Sequence, residues 1–186
     1  MPVTEALRRD ATERMAPAPS ARPARPARRS WLHRHPLVAL AVFVVVTEAV
    51  GAAGALAPRH PHWYDQLARP SFDPPSWVFA PVWTLLYAAI AVAAWFVWRH
   101  HRTWQRDVAL RWWTAQLLLN AAWTPLFFGA RQPVWALVDL VVLFVAAGIT
   151  AIRFLPLDRR ASLLLLPYLA WLGFALALNG AIVGMN

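Results

Sequence analysis

The sequence predicts an all-α integral membrane protein, a bundle of five transmembrane helices. Hydrophobic residues make up 59% of the 186-residue chain. Several apolar runs reach the roughly 20 residues that a helix needs to cross about 30 Å of hydrocarbon. All 18 basic residues are arginines, and they fall between the apolar runs. Arginines in these positions are expected of loops that flank a membrane.

The apolar runs place five spans, at about 36–57, 76–98, 108–128, 133–155 and 161–185. The first 34 residues are rich in Ala, Pro and Arg, a composition that cannot bury a core. We therefore predict a disordered tail at 1–34, followed by a membrane domain at 35–186. The tail is either a solvated segment whose charge holds the first helix in place or a segment that binds anionic lipid headgroups.

The longest connection, residues 58–76, carries Pro70, Pro74 and Pro75. Proline fixes the backbone and removes a hydrogen-bond donor. The sequence therefore predicts a defined, non-helical lid between the first two spans.

The arginines also predict orientation. Alternate sides of the membrane carry 15 and 3 of them, or 7 and 3 without the tail. The positive-inside rule then places the N-terminus in the cytoplasm and the C-terminus outside. The net charge of +9 does not form one face, so we expect the lipid bilayer as a partner and no nucleic acid. The chain has no cysteine, and its histidines lack metal-ligand spacing, so no metal site is predicted.

Four polar side chains interrupt the apolar runs: Glu48, Asn120, Asp139 and Asn179. Such groups are costly in hydrocarbon and persist when they face a partner, a cavity or water. For the two asparagines, a hydrogen bond between helices and a contact to a ligand are both open interpretations. Asp139 lies six residues after Pro133, so a position close to the membrane surface is a further alternative.

Aromatic and polar residues recur three and four positions apart, which places each set on one helical face. These sets are Trp83 with Tyr87, Asn120 with Trp123 and Phe127, Trp135 with Asp139, and Trp171 with Ala175. Converging faces would form an aromatic pocket for a flat, apolar ligand. The alternative is a belt of aromatic residues at the membrane surfaces. We favour the belt for tryptophans near span ends: Trp31, Trp63, Trp98, Trp104, Trp112 and Trp113.

Pro81, Pro125 and Pro167 are predicted to interrupt three of the helices and open room in the bundle. Small residues spaced four apart, Gly180 with Gly184 and Ala89 with Ala93, are typical of helix contacts. They fit either packing within the chain or a homodimer.

Three long motifs carry a family resemblance. The segments WYDQLARPSFDPPSWVFAPVWTLLY, LNAAWTPLFFGARQPVWALVDL and LLLLPYLAWLGFALALN resemble blocks of the TspO/MBR family, the tryptophan-rich sensory proteins that include the mitochondrial translocator protein. The resemblance covers about residues 60–186. The first helix resembles that of the family only in its general character. Phe72 and Arg69 stand where the family usually has Trp and Lys, and Ala80 and Ala91 replace common glycines.

The resemblance implies a five-helix bundle in a membrane, expected to be a bacterial cell membrane, that binds a porphyrin such as protoporphyrin IX or haem and needs no separate cofactor. The implied ligand-binding residues are Phe72, Trp83, Tyr87, Asn120, Trp123, Phe127, Trp135, Asp139, Trp171 and Ala175. The implied role is porphyrin homeostasis, stress sensing or transport.

Two alternatives stay open. One is an enzyme that degrades porphyrin with light and oxygen, with Trp83 and Trp171 as its catalytic residues. The other is a scaffold whose pocket holds lipid or sterol. The family's C-terminal cholesterol pattern needs a Tyr followed by a basic residue, and LALNGAIVGMN has neither.

Overall fold

The computed structural model describes residues 34–55 and 61–186. Five long helices form its frame: α1 (Pro36–Ala55), α3 (Phe79–Trp98), α4 (Trp104–Thr124), α5 (Pro133–Phe154) and α7 (Leu166–Met185). Two short helices complete it, α2 (Pro61–Gln66) and α6 (Arg159–Leu164), with a 3₁₀ turn at Ser76–Val78 and a wide π turn at Pro125–Gly129. No strand occurs in the described ranges, so the all-helical prediction is confirmed.

The surface of this bundle is apolar where that of a soluble protein would be polar. Large hydrophobic side chains stand exposed along the long helices, among them Val45, Leu85, Leu118, Val145 and Ile152. Four segments of the described chain are long and apolar enough to cross a membrane: Pro36–Ala53, Ser76–Trp98, Pro133–Phe154 and Arg159–Met185. The protein is an integral membrane protein.

The remaining long helix, α4, is less apolar, because its first two turns carry Gln105, Arg106, Asp107 and Arg111. It packs against both α1 and α5, and its Gln116 and Asn120 side chains are buried. It begins at Trp104, earlier than the predicted 108, because the Thr103 hydroxyl accepts a hydrogen bond from the Arg106 N–H and caps the helix.

Helix packing explains where space is left. α1 packs on α3 and α4, α4 on α5, and α5 on α7, whereas the backbones of α3 and α7 come close at few points and the two helices meet mainly through aromatic rings. Short α6 fills the space between α3 and α5 at one end of the bundle. The other end, where α3 begins and α7 ends, is left open under the lid.

Two predicted features differ from the structure. The lid is partly helical, since it contains α2 (Pro61–Gln66). Proline is compatible with the first position of a helix, where its missing N–H would have no partner within the helix. Pro81 lies in the first turn of α3 and does not interrupt it. By contrast, Pro125 starts the π turn, and Pro167 follows the break between α6 and α7.

The small-residue faces also differ from each other. Ala93 is fully buried, whereas a Cβ added to Gly180 or Gly184 would meet nothing within 4 Å. The glycine pair therefore makes no close helix contact within the described chain, and the homodimer stays a prediction. Trp113, assigned to the surface belt, is buried instead, because its indole N–H donates to the Ile90 carbonyl (3.2 Å). The predicted tail lies outside the described residues, apart from Arg34.

Candidate functional site

A cavity of about 710 Å³ lies at the open end of the bundle, within the usual range for small-molecule sites of roughly 300–1,000 Å³. It is enclosed by α1, the lid, α3, the end of α4 with the π turn, α5 and α7. Its lining is mostly apolar and aromatic, with polar groups at Glu48, Tyr64, Asp65, Arg69, Asp73, Ser76, Thr84, Tyr87, Asn120, Thr124 and Asn179.

Aromatic rings form two walls of the cavity. On α3, Trp83 stacks on Tyr87 (ring centroids 5.2 Å apart, planes at 29°). The Trp171 ring of α7 stands edge-on to Trp83 (6.5 Å, 87°). Where α4 meets the π turn, Trp123 stacks on Phe127 (5.1 Å, 20°). Tyr87 and Phe127 are themselves buried, so the surface that these walls offer is mainly that of the half-buried indoles of Trp83, Trp123 and Trp171. Indole rings bind aromatic ligands favourably by stacking and by edge contacts.

The π turn at Pro125–Gly129 shapes the second wall. Its Ala130 N–H reaches back five residues to the Pro125 carbonyl (2.8 Å). Both Phe127 and Phe128 line the cavity, although consecutive residues of a regular helix point in different directions. Single π turns of this kind often occur at functional sites.

A chain of hydrogen bonds runs from the cavity into the core. The Tyr87 hydroxyl donates to Asn120 Oδ1 (2.8 Å), and Asn120 Nδ2 donates to the Tyr168 hydroxyl (2.9 Å). The Tyr168 hydroxyl in turn donates to Gln116 Oε1 (2.7 Å). All four side chains are buried. Asn120 thus joins three helices, as the first interpretation of this residue expects. It also lines the cavity, and its contact to a ligand stays a prediction.

The lid carries a polar cluster over the cavity. Arg69 Nη1 donates to Asp73 Oδ2 (2.9 Å), and the Arg69 guanidinium lies 5.2 Å from the centre of the Tyr64 ring. Burial, followed by the charge of Asp73, raises the pKa of Tyr64 above its usual value. Hydrogen bonds to Asp73 and Tyr64 raise the pKa of Arg69. The Arg69–Asp73 pair is partly exposed, so it orients the lid more than it stabilises the fold.

Asn186 fastens the lid to the end of α7. Its Oδ1 accepts from the Ala68 N–H (3.0 Å), and its Nδ2 donates to the Ala68 carbonyl (3.1 Å) and to the Ile182 carbonyl (2.8 Å). We expect Asn186→Ala to speed hydrogen exchange at the Ala68 N–H several-fold, because that N–H loses its acceptor, Asn186 Oδ1. Met185→Ala, at a neighbouring exposed side chain, is the control and should leave that exchange unchanged. Equal exchange in both variants would contradict the role of Asn186.

The structure brings together seven of the ten predicted ligand-binding residues. Those that line the cavity are Trp83, Tyr87, Asn120, Trp123, Phe127, Trp171 and Ala175. Three lie elsewhere. Trp135 is 63% exposed on α5, and Phe72 is 49% exposed on the lid, with its ring edge-on to Phe174 at 6.3 Å. Asp139 is half-buried outside the lining, and its Oδ2 has no hydrogen-bond partner among the described residues.

Several lining residues were not predicted. Arg69 and Asp73, four apart in the lid, are a charge pair that the sequence spacing could have indicated. Phe174 lies three residues after Trp171 on the same helical face and contacts it at 5.4 Å. Phe79, Phe128 and Leu178 carry no comparable signal. Asn179 lines the cavity, and its amide is placed to bond both the Pro133 carbonyl (3.3 Å) and the Leu137 N–H (3.1 Å) of α5.

The comparisons with known proteins agree with this architecture. The model of the TspO/MBR family matches residues 41–184. The chain belongs to the TspO/MBR family. The match begins inside α1, so the resemblance extends further toward the N-terminus than residue 60.

Relatives within the TspO/MBR family come from bacteria and animals. The translocator protein of Sus scrofa is 46% identical over 120 residues, which cover 63% of this chain and 71% of that protein. The tryptophan-rich protein TspO of Chlorobaculum tepidum is 36% identical over 156 residues, 81% of this chain and 97% of that protein. The tryptophan-rich sensory protein of Cereibacter sphaeroides is 37% identical over 149 residues, 78% and 92% of the two chains.

Proposed function

We propose that this protein binds a tetrapyrrole, protoporphyrin IX or haem, in the cavity under the lid, and that it acts in porphyrin homeostasis, stress sensing or transport. The observation that carries the proposal is the pair of aromatic walls, Trp83 with Tyr87 and Trp123 with Phe127. A large planar macrocycle gains most from such walls because stacking and apolar burial act on the same surface.

The polar groups of the cavity fit the two ends of such a ligand. Arg69 lies at the lid, where the carboxylates of a porphyrin would meet a guanidinium and stay close to water. At the other end, Asn120 offers one remaining N–H beyond the bond to Tyr168. We further propose that the N-terminus lies in the cytoplasm, because the arginine-rich connections then fall on that side.

The first experiment is a titration of the purified protein with protoporphyrin IX in the dark, followed by tryptophan fluorescence. We expect saturable quenching, and at least tenfold weaker binding in Trp83→Ala, because truncation removes one stacked face of the wall. Such a loss corresponds to about 1.4 kcal/mol.

Trp135→Ala is the matched control. It also removes one indole from a helix of the bundle, but the Trp135 ring is exposed and outside the cavity lining. We expect its affinity to stay within twofold of the wild type. No saturable quenching in the wild type would overturn the proposal and favour a scaffold filled by lipid or sterol. Equal losses in the two variants would place the ligand elsewhere.

One observation favours the light-dependent enzyme as a second candidate. Trp83 and Trp171 face the same cavity with ring centroids 6.5 Å apart, so a porphyrin bound there would lie beside two indoles able to exchange electrons with its excited state. Illuminating the complex in air tests this. Loss of porphyrin absorbance that is faster than in the double variant Trp83→Phe with Trp171→Phe, at equal occupancy, would establish the activity. Equal rates would exclude these two indoles as its source.

A further inference from the structure

The cavity contains a carboxyl group on an otherwise apolar helix. Glu48, Gly51 and Ala52 of α1 line it, with the spacing of one helical face. The Glu48 side chain is half-buried and makes no hydrogen bond or ion pair with any residue of the described ranges. An ionisable group on a membrane-spanning helix is costly and is typical of a site that has a partner.

Helix geometry places this carboxyl group one turn from the point where α1 meets the aromatic rings of α3. Gly51, one turn after Glu48, lies so close to the Tyr87 ring that a Cβ would collide with it. Tyr87 is stacked on Trp83. Glu48 therefore lies about one helical turn, roughly 5 Å, from the level at which α1 meets the stacked rings. Tyr87 itself is buried, so the carboxyl group of Glu48 is the recognition element on this side of the cavity.

The charged groups that line the cavity also favour a cation in its interior. They are the carboxyl groups of Glu48, Asp65 and Asp73 and the guanidinium of Arg69. Arg69 is paired with Asp73 at 2.9 Å, and Asp65 is exposed at the lid. Below the lid the remaining charged group is Glu48. The interior of the cavity therefore favours a cation, although the chain as a whole carries a net charge of +9.

We propose that the cavity binds hydrophobic amines, with the protonated nitrogen at Glu48 and the apolar body against the aromatic walls. A carboxylate in a mostly apolar cavity offers an ammonium group a charge-assisted hydrogen bond. This site does not depend on the tetrapyrrole being a ligand, because its recognition element is Glu48.

The test compares two probes of the same size and shape, naphthylethylamine and naphthylethanol, on the full-length protein in detergent near neutral pH. Binding is measured by calorimetry, with empty micelles as the blank. We expect the amine to bind at least tenfold more tightly than the alcohol. In Glu48→Gln this preference should fall below twofold, while the affinity for the alcohol stays within twofold of the wild type.

Asp65→Asn is the matched control, because it removes an exposed carboxyl group of the same lining and should keep the preference for the amine. The proposal is overturned if the wild type binds both probes equally or binds neither, or if Glu48→Gln keeps the preference. It is also overturned if Glu48→Gln loses both probes, since Glu48 would then only shape the cavity. Protoporphyrin titration of the same samples reports separately on the tetrapyrrole proposal.

Discussion

Asn120→Ala is expected to lower both the stability of the bundle and its affinity for a cavity ligand. The substitution removes the acceptor of the Tyr87 hydroxyl and the donor to the Tyr168 hydroxyl. A polar group left unpaired in a protein interior costs about 1–3 kcal/mol. Side-chain hydrogen bonds between membrane helices average about 0.6 kcal/mol each. Two lost bonds therefore predict a destabilisation of about 1–3 kcal/mol, seen as a lower midpoint of thermal unfolding in detergent.

Tyr168→Phe separates the structural role of the chain of hydrogen bonds from the role of Asn120 in the cavity. Tyr168 is fully buried and does not line the cavity, so its loss should reduce stability while ligand affinity is kept. Thr114→Ala is the control on α4, the helix that carries Asn120. The Thr114 hydroxyl is exposed and donates to the Leu110 carbonyl of its own helix (3.0 Å). If Asn120→Ala had the same melting temperature and ligand affinity as Thr114→Ala, the chain of hydrogen bonds would not be important for stability or binding.

The sequence predicted the helices well because crossing a bilayer leaves few alternatives. Long apolar runs and arginine-rich connections locate the spans. The start of α1 and both ends of α3 and α5 lie within three residues of the predicted positions. Two helices begin earlier than predicted, because side chains cap their N-termini. Thr103 extended α4 toward its N-terminus, and Asp158 did the same for the last span, since its carboxylate accepts from the Arg160 and Ala161 N–H groups.

The site was less predictable, because periodicity shows which residues share a face and not where that face points. Trp135 and Asp139 share a face of α5, yet the face that lines the cavity carries Leu140 and Leu143. The sequence of the lid has no helical periodicity from which the positions of its residues could be predicted. Arg69 and Asp73 come to lie over the cavity because Asn186, at the far end of the chain, holds Ala68 in place. A contact of that sequence separation cannot be deduced from local patterns.

Gly51→Ala is expected to damage the site more than so small a change suggests. A Cβ at this position would overlap the Tyr87 ring, so either α1 must move away from α3 or the ring must rotate. Rotation would break the bond from Tyr87 to Asn120 and disturb the stacking on Trp83. Overpacking of this kind costs about 1–3 kcal/mol, which outweighs the gain of roughly 1 kcal/mol that alanine brings to a helix interior.

Gly148→Ala provides the opposite case within the same bundle. Gly148 lies inside α5, and a Cβ there would meet nothing within 4 Å. Only the helix propensity then changes, so this variant should melt at the same temperature as the wild type or slightly higher. Gly51→Ala should melt lower and bind cavity ligands more weakly, since Gly51 and Tyr87 both line the cavity. If both variants melted alike, the close approach of α1 to Tyr87 would not be a determinant of the site.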